Sequence, residues 1–478
     1  MGCVVTSAPD TARRFPHPAL HQRLIMALVS AALFMEILDG TIITTALPSM
    51  ARSFHTTPVA LDIGVSAYLL TVGVFVPASG WVADRFGARH VFAAAIALFT
   101  VASALCAVAP GPTSFVCLRI LQGLGGALMV PVGRLVVMRL TPREKLVETL
   151  AALIWPALIA PVIGPPLGGL ITQWFGWRWI FYFNVPLGVV ALIGCLWLIP
   201  DVREVARRFD RLGFALSSVG LFALQIGLER LPRHPDALAL GLTVTGLILV
   251  VLTVRHMLRA DHPMIDLAAW RVASFRVASR GGSVMRIAIN AGPFLLPLML
   301  QEGYGFSAFH AGMFVLTLFV GDLTMKAFVT RILRRFGHRP VLIPNGFACA
   351  LSLLAMAFIT PAVPLWLTVV ILVVHGLIRS LEFTSLTTLA FADIDRAALN
   401  DASTFFNTTM LLSGAAAITV AAMAVHAGTA LLAVPAFGAL AGPGAEYRIA
   451  FAIVALIALL GTFDAYRLPH GAGNTLTH

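Results

Sequence analysis

Fourteen apolar runs, each long enough to cross a bilayer at about 20 residues, constrain this chain more than any other feature of it. They lie at roughly 24–47, 60–82, 90–110, 113–137, 149–173, 180–199, 212–230, 237–257, 278–300, 308–330, 340–360, 364–390, 404–432 and 448–466. An even count puts both termini on one side. Sorted by alternate loops, about 23 of the Lys and Arg residues fall on the side of the N-terminus, about 5 on the other and about 5 within spans. That asymmetry predicts cytoplasmic termini for a multi-pass protein of the cell (inner) membrane. The fold class expected is an all-α membrane protein with 14 transmembrane helices and short loops.

The composition agrees: 59% of residues are hydrophobic and 12% charged, and the mean hydropathy is +0.90. The net charge of +11 comes from short basic clusters between apolar runs, which argues against nucleic acid as a partner. Cys3, Cys106, Cys117, Cys195 and Cys349 are scattered and read as packing residues. The start, "MGCVVT", fits a loose myristoylation pattern at Gly2, read here as coincidence, and no cleavable signal peptide is expected. "GLGGA" at 123–127 lacks the Lys of a phosphate loop, and no His or Cys pair has metal spacing. The expectation is no enzyme, no metal and no cofactor, with an ion gradient or none as the energy source.

The loop "DRFGARHV" (84–91) is echoed by "RRFGHRPV" (334–341), as expected if spans 1–6 and 9–14 are parallel repeats with spans 7 and 8 inserted between them. The boundaries that follow are a cytoplasmic segment 1–23, a six-helix bundle 24–200, a linker with two additional helices 201–275, a second six-helix bundle 276–467 and a cytoplasmic tail 468–478.

Seven segments carry a family resemblance. "GWVADRFGARHVF" (80–92), "RILQGLGGA" (119–127) and "IGPPLGGL" (163–170) resemble the loop, span-4 and span-5 signatures of the major facilitator superfamily. "WRWIFYFNVPLG" (177–188) and "LDGTIITTALP" (38–48) resemble its 14-span drug:proton antiporters in particular. "GPFLLPLMLQEGYGFSAFHAGMF" (292–314) and "MVPVGRLVVMRLTPRE" (129–144) are similar to bacterial multidrug-resistance-type exporters of the D-type and homocysteine-suppressor branches. The chain departs from these signatures at Thr44, Ala160, Arg334 and Glu36. The resemblance implies two six-helix bundles plus two inserted helices. It also implies a gating loop (Gly80, Asp84, Arg85, Gly87, Arg89) that latches the cytoplasmic side, and an antiporter motif (Gly164, Pro165, Gly168, Gly169) in span 5.

The residues themselves suggest where the chemistry sits. Glu36 and Asp39 are one helical turn apart in span 1, with Thr41 and Thr44 extending the polar strip. Counted from the outer ends of their spans, Asp39 lies about 12 Å deep and Arg119 about 9 Å. Arg119 is a fixed positive charge, so the pair reads either as a proton switch or as a static salt bridge. Glu36, with Gln122, is expected in the substrate cavity. Arg286, Asp322, Lys326, Arg379 and Glu382 form a second charge set at comparable depth in the later spans. They read either as an interhelical pairing network or as a positive attraction for an anion. Tyr68, Phe294, Phe314 and Phe405 are candidates for lining the cavity.

The function expected is proton-coupled export of hydrophobic or cationic small molecules by alternating access, with the bilayer, a small-molecule substrate and protons as partners. The alternatives are an exporter of an endogenous organic acid or other metabolite, and a non-transporting membrane sensor. A periplasmic adaptor is left open.

Overall fold

The computed structural model describes residues 18–141, 146–200, 209–232, 235–395, 398–436 and 441–469, and these are helical apart from short connections. The readings at Gly2 and Cys3 and most of both terminal segments lie outside the described residues. The long helices are α1 (Pro18–Ser53), α2 (Pro58–Phe86), α3 (Ala88–Ala107), α4 (Pro112–Leu140), α5 (Leu146–Trp174), α6 (Trp179–Leu198), α7 (Arg211–Arg230), α8 (Ala237–Met257), α9 (Ala273–Leu298), α10 (Ala308–Lys326), α11 (His338–Met356), α12 (Leu365–Ala392), α13 (Leu399–Leu432) and α14 (Ala445–Ala465). Thirteen of them are long and apolar enough to cross a membrane by length and composition. The fourteenth is α5, a helix of 29 residues whose stretch from Ala151 to Trp174 carries no charge.

Local chemistry sets the helix starts. Pro58 and Pro112 open α2 and α4, where a missing N–H costs nothing. Thr57, Asp210, Asp236 and Ser307 cap α2, α7, α8 and α10 by accepting a backbone N–H three residues on. The run read as one span from 308 to 330 ends earlier, at Lys326. After it, Val329–Phe336 forms a separate short helix that buries Val329 and Leu333 and exposes Arg331, Arg334 and Arg335. Three cations on one flank keep that turn at the end of the bundle rather than within it.

The echo of residues 84–91 in 334–341 is also structural. Gly87 (φ 89°) joins α2 to α3, and Gly337 (φ 77°) joins the short helix to α11, each a left-handed position that only glycine adopts without strain. Packing repeats in the same order. The neighbours α1·α5, α2·α4, α3·α4, α3·α6 and α1·α6 correspond to α9·α13, α10·α12, α11·α12, α11·α14 and α9·α14. The two sets meet chiefly through α5 with α10 and α2 with α13, which are equivalent pairs under that repeat.

The sets close on each other at the distal end, away from the described termini. There α5 and α10 touch backbone to backbone: a Cβ at Gly169 would collide with the Ala308 carbonyl, and one at Gly312 with the Pro165 carbonyl. Trp174 stacks on Phe309, Gln301 Nε2 donates to the Thr45 carbonyl (3.1 Å), and Arg52 pairs with Glu302 (3.5 Å). At the proximal end the ion pairs Asp84–Arg139, Arg280–Asp464 and Arg467–Asp464 each stay within one set.

Replacing Gly312 with Leu is expected to overpack this contact at about 1–3 kcal/mol and lower the melting temperature in detergent. Gly241→Leu, where nothing lies within 4 Å, is expected to leave it unchanged or higher. Equal melting temperatures for the two variants would contradict the close approach of α5 and α10.

Candidate functional site

Five helices of the first set contribute to one centre built around a buried carboxylate. Asp39 of α1 is 1% exposed and Arg119 of α4 is 0% exposed, and Arg119 Nη1 lies 2.6 Å from Asp39 Oδ2. Gln122 Nε2 (2.9 Å) and Asn184 Nδ2 of α6 (2.8 Å) both donate to Asp39 Oδ1. Asn184 Nδ2 is also 3.0 Å from Ser103 Oγ of α3. Arg119 Nη1 donates to Gln122 Oε1 (2.7 Å) and its Nε to the Gly64 carbonyl (3.4 Å). Each buried ion costs several kcal/mol to desolvate, and these neutral groups offset that cost by satisfying most of the remaining lone pairs and protons, with Arg119 Nη2 left without a hydrogen-bond partner among the described residues. Gln122, expected in the substrate cavity, belongs to this sealed centre instead.

Glu36 takes a different direction. Although it lies one turn from Asp39, helical rotation turns it into a cavity between the two sets, together with Thr41 and Thr44. Both hydroxyls bond back to α1: Thr41 Oγ1 to the carbonyls of Ile37 and Leu38 (3.1 Å each), and Thr44 Oγ1 to that of Thr41 (2.9 Å). The two carboxylates are joined by Tyr68 of α2. Its hydroxyl donates to Glu36 Oε1 (3.2 Å), while the Arg119 guanidinium sits 4.2 Å from its ring centroid. One side chain therefore touches the cavity acid and the sealed pair.

The cavity has a volume of about 510 Å³, the size that encloses a drug-like molecule, and lies proximal to the α5–α10 closure. Its walls are mostly apolar, with Phe294, Phe319 and Phe383 prominent. From the second set it receives Asp322, Lys326, Arg379 and Asn290. Arg379 Nη1 lies 2.7 Å from Asp322 Oδ1, and Lys326 Nζ is 3.7 Å from Asp322 Oδ2.

The other two residues of that charge set stand apart. Arg286 is fully buried, bonds to the Ala278 carbonyl and Ser283 Oγ (3.2 Å each), and lies over the Phe406 ring. Glu382 faces α11, where Asn345 Nδ2 donates to it (2.8 Å). Three of the five charges thus pair, and Arg286 and Glu382 do not line the cavity. Of the candidate aromatics, Tyr68 and Phe294 line it. Phe314 packs edge-on against Phe306, and Phe405 borders a separate apolar cavity of about 140 Å³ between α2, α7, α8 and α13.

At the loop signature, Asp84 accepts from Arg139 Nη2 of α4 (2.8 Å), Arg89 donates to the Leu196 carbonyl of α6, and Arg85 is exposed. Gly80 has open space where a Cβ would go, whereas Gly87 supplies the turn. The span-5 motif has two working faces. Gly164 and Gly168 press on Thr41, Ile42 and Thr45 of α1, while Gly169 and the Pro165 carbonyl meet α10. Thr45 Oγ1 donates to that same Pro165 carbonyl (3.3 Å).

Sequence reasoning passed over Asn184, Ser103, Asn290 and Asn345, neutral groups in apolar runs whose partners are far along the chain. It also passed over Glu229 of α7, which accepts from Gln225 within α7, from Ser66 of α2 and from Thr419 of α13 (3.2 Å). The available signal was Gln225 and Glu229 at i, i+4 inside an otherwise apolar span.

Comparison with known proteins gives a consistent answer. The profile described as Major Facilitator Superfamily matches residues 29–418. MdtD of Escherichia coli O7:K1 (strain IAI39), a protein named for multidrug resistance, is 37% identical over 401 residues, covering 83% of this chain and 84% of its own. MdtD of Escherichia fergusonii gives the same figures. Among solved structures, the POT family transporter PepTSo superposes with a TM-score of 0.70 at 14% identity, covering 94% of this chain and 98% of its own. The D-xylose-proton symporter does so with 0.66 at 16%, covering 94% and 98%. With the profile spanning most of the chain and the fold shared from end to end, the chain belongs to the major facilitator superfamily.

Proposed function

We propose that this protein is a proton-coupled secondary transporter that exports hydrophobic or cationic small molecules by alternating access. The observation that carries this reading is the sealed Asp39–Arg119 pair standing one side chain, Tyr68, away from the cavity carboxylate Glu36. The multidrug-resistance name of the 37%-identical relatives supports the substrate class. With the basic loops in the cytoplasm, the distal closure lies outside and the cavity faces inward, ready to load.

Asp39 carries the proton. Arg119 cannot release its own, so the pair exists only while Asp39 is ionised, and protonation frees the guanidinium from its partner. A cation arriving at Glu36 competes with the Tyr68 hydroxyl for the same oxygen. Displacing Tyr68 shifts the ring on which Arg119 rests, so substrate and proton sense each other through one residue. Asp84 with Arg139 holds the cytoplasmic ends of α2 and α4 in register, and the glycine faces of α5 keep the outer contact tight.

In proteoliposomes with a lumenal pH dye, a lipophilic cation is expected to drive proton movement. Asp39→Asn is expected to reduce it to background, and Glu36→Gln to raise the KM about tenfold, the worth of one charge-assisted contact. Proton movement unchanged in Asp39→Asn would rule out this proton carrier.

Because Asp39→Asn strands a buried cation, it should also cost about 3–5 kcal/mol. The double variant Asp39→Asn with Arg119→Gln is expected to regain much of the melting temperature without regaining transport. Recovery of both together would reduce the pair to a scaffold.

A further inference from the structure

We infer that the cavity is built for a zwitterion: an amphipathic molecule with an ammonium group at one end, a carboxylate or similar anion at the other, and an apolar body between. The inference rests on the reading of this cavity as the transport site and narrows its substrate.

The argument starts from where the charges stand. The cavity lining contains four titratable charged side chains, two acids and two bases, so with both acids ionised its net charge is zero, yet they are segregated. On the wall of the first set Glu36 is the charged side chain that lines the cavity: its hydrogen bond comes from the neutral Tyr68 hydroxyl, Arg134 and Arg119 of α4 act on it only through space, and no ion pair within 4 Å joins it to a described residue. On the wall of the second set Asp322 is shared by Arg379 and Lys326, which leaves one positive charge in excess. The excess resides on Lys326. Arg379 is the close partner at 2.7 Å and also reaches Asn290 Oδ1 (3.4 Å), whereas the Lys326 ammonium is 3.7 Å from Asp322, beyond hydrogen-bond reach, with its side chain 31% exposed. The rest of the lining is mostly apolar, including Leu69, Val162, Phe294 and Met410.

In such a cavity a fixed charge left facing the wrong group is penalised more than in water. A pure cation satisfies Glu36 but leaves the Lys326 pole unanswered, and a pure anion does the reverse. A molecule with both charges answers both poles and adds no net charge to the site. The same geometry explains why the acid on α1 and the base on α10 belong to different sets: a ligand joining them spans the interface that alternating access must move.

The test is isothermal titration of the detergent-purified full chain with three matched probes: para-aminomethyl-phenylpropionic acid, its methyl ester (cation only) and its N-acetyl derivative (anion only). The zwitterion is expected to bind about tenfold or more tighter than either derivative. Lys326→Met is expected to bring it to the level of the ester without changing the ester, and Glu36→Gln to the level of the N-acetyl compound. An ester that binds as tightly as the zwitterion and is indifferent to Lys326→Met overturns the inference and leaves a cation exporter. Absence of binding by all three, with a lipophilic cation still moving protons through the same preparation, overturns it as well. If the zwitterion binds as expected and no cation moves protons, the inference holds and proton-coupled cation export is what fails.

Discussion

A carboxylate buried in a membrane bundle must be satisfied by its own chain, and in this protein that demand organises the first six helices. Asp39 is reached by Arg119 and Gln122 from α4 and by Asn184 from α6, with Ser103 of α3 behind Asn184. Lipid offers no hydrophobic drive to hold helices together, so polar contacts of this kind and close backbone packing do that work. The glycines of α5 then let that helix lie directly on α1 beside the charged centre. Sealing and positioning are one property here: the contacts that make the charge tolerable also fix Tyr68 above Arg119.

The two sets spend their charges differently. The first buries its ion pair away from the cavity and shows the cavity a lone acid. The second leaves its paired charges on the cavity wall and buries Arg286 and Glu382 elsewhere, each among neutral partners. A shared packing order therefore carries unequal chemistry. The inserted helices are tied into this arrangement. Glu229 on α7 accepts hydrogen bonds from Ser66 on α2 and Thr419 on α13, the helices of the second contact between the sets.

The sequence made depth legible and left azimuth hidden. Span count, repeat, loop signatures and the level of Asp39 with Arg119 are all distances along a helix axis, and 1.5 Å per residue converts position to depth directly. Which way a residue faces depends on how each helix is rotated against its neighbours. In a soluble helix the apolar stripe marks that rotation, but here apolar residues cover the lipid face and the interior alike, as with Val190 and Leu351 exposed beside buried Ala191 and Leu353. That is why Glu36 parts from Asp39 and Glu382 from Arg379 although each pair is three residues apart. For the same reason Gln122 falls to the sealed centre and Arg286 to the interior.

Neutral polar residues were the larger loss, and the reason is energetic. A charge in an apolar run announces itself by its cost, whereas an Asn or Ser costs little enough to pass as packing. Yet a buried ion pair is net favourable only when most of its leftover lone pairs and protons find donors and acceptors, so a buried charge calls for such neighbours, even though Arg119 Nη2 and Arg286 Nε and Nη1 are left without one among the described residues. Asp39 needed Asn184, Glu382 needed Asn345, and Arg379 needed Asn290. In each case the partner came from another helix, at a separation of 145, 37 and 89 residues, beyond any local pattern. The amides that answer these charges are thus a consequence of them, inferable in kind from the sequence and in position only from the fold.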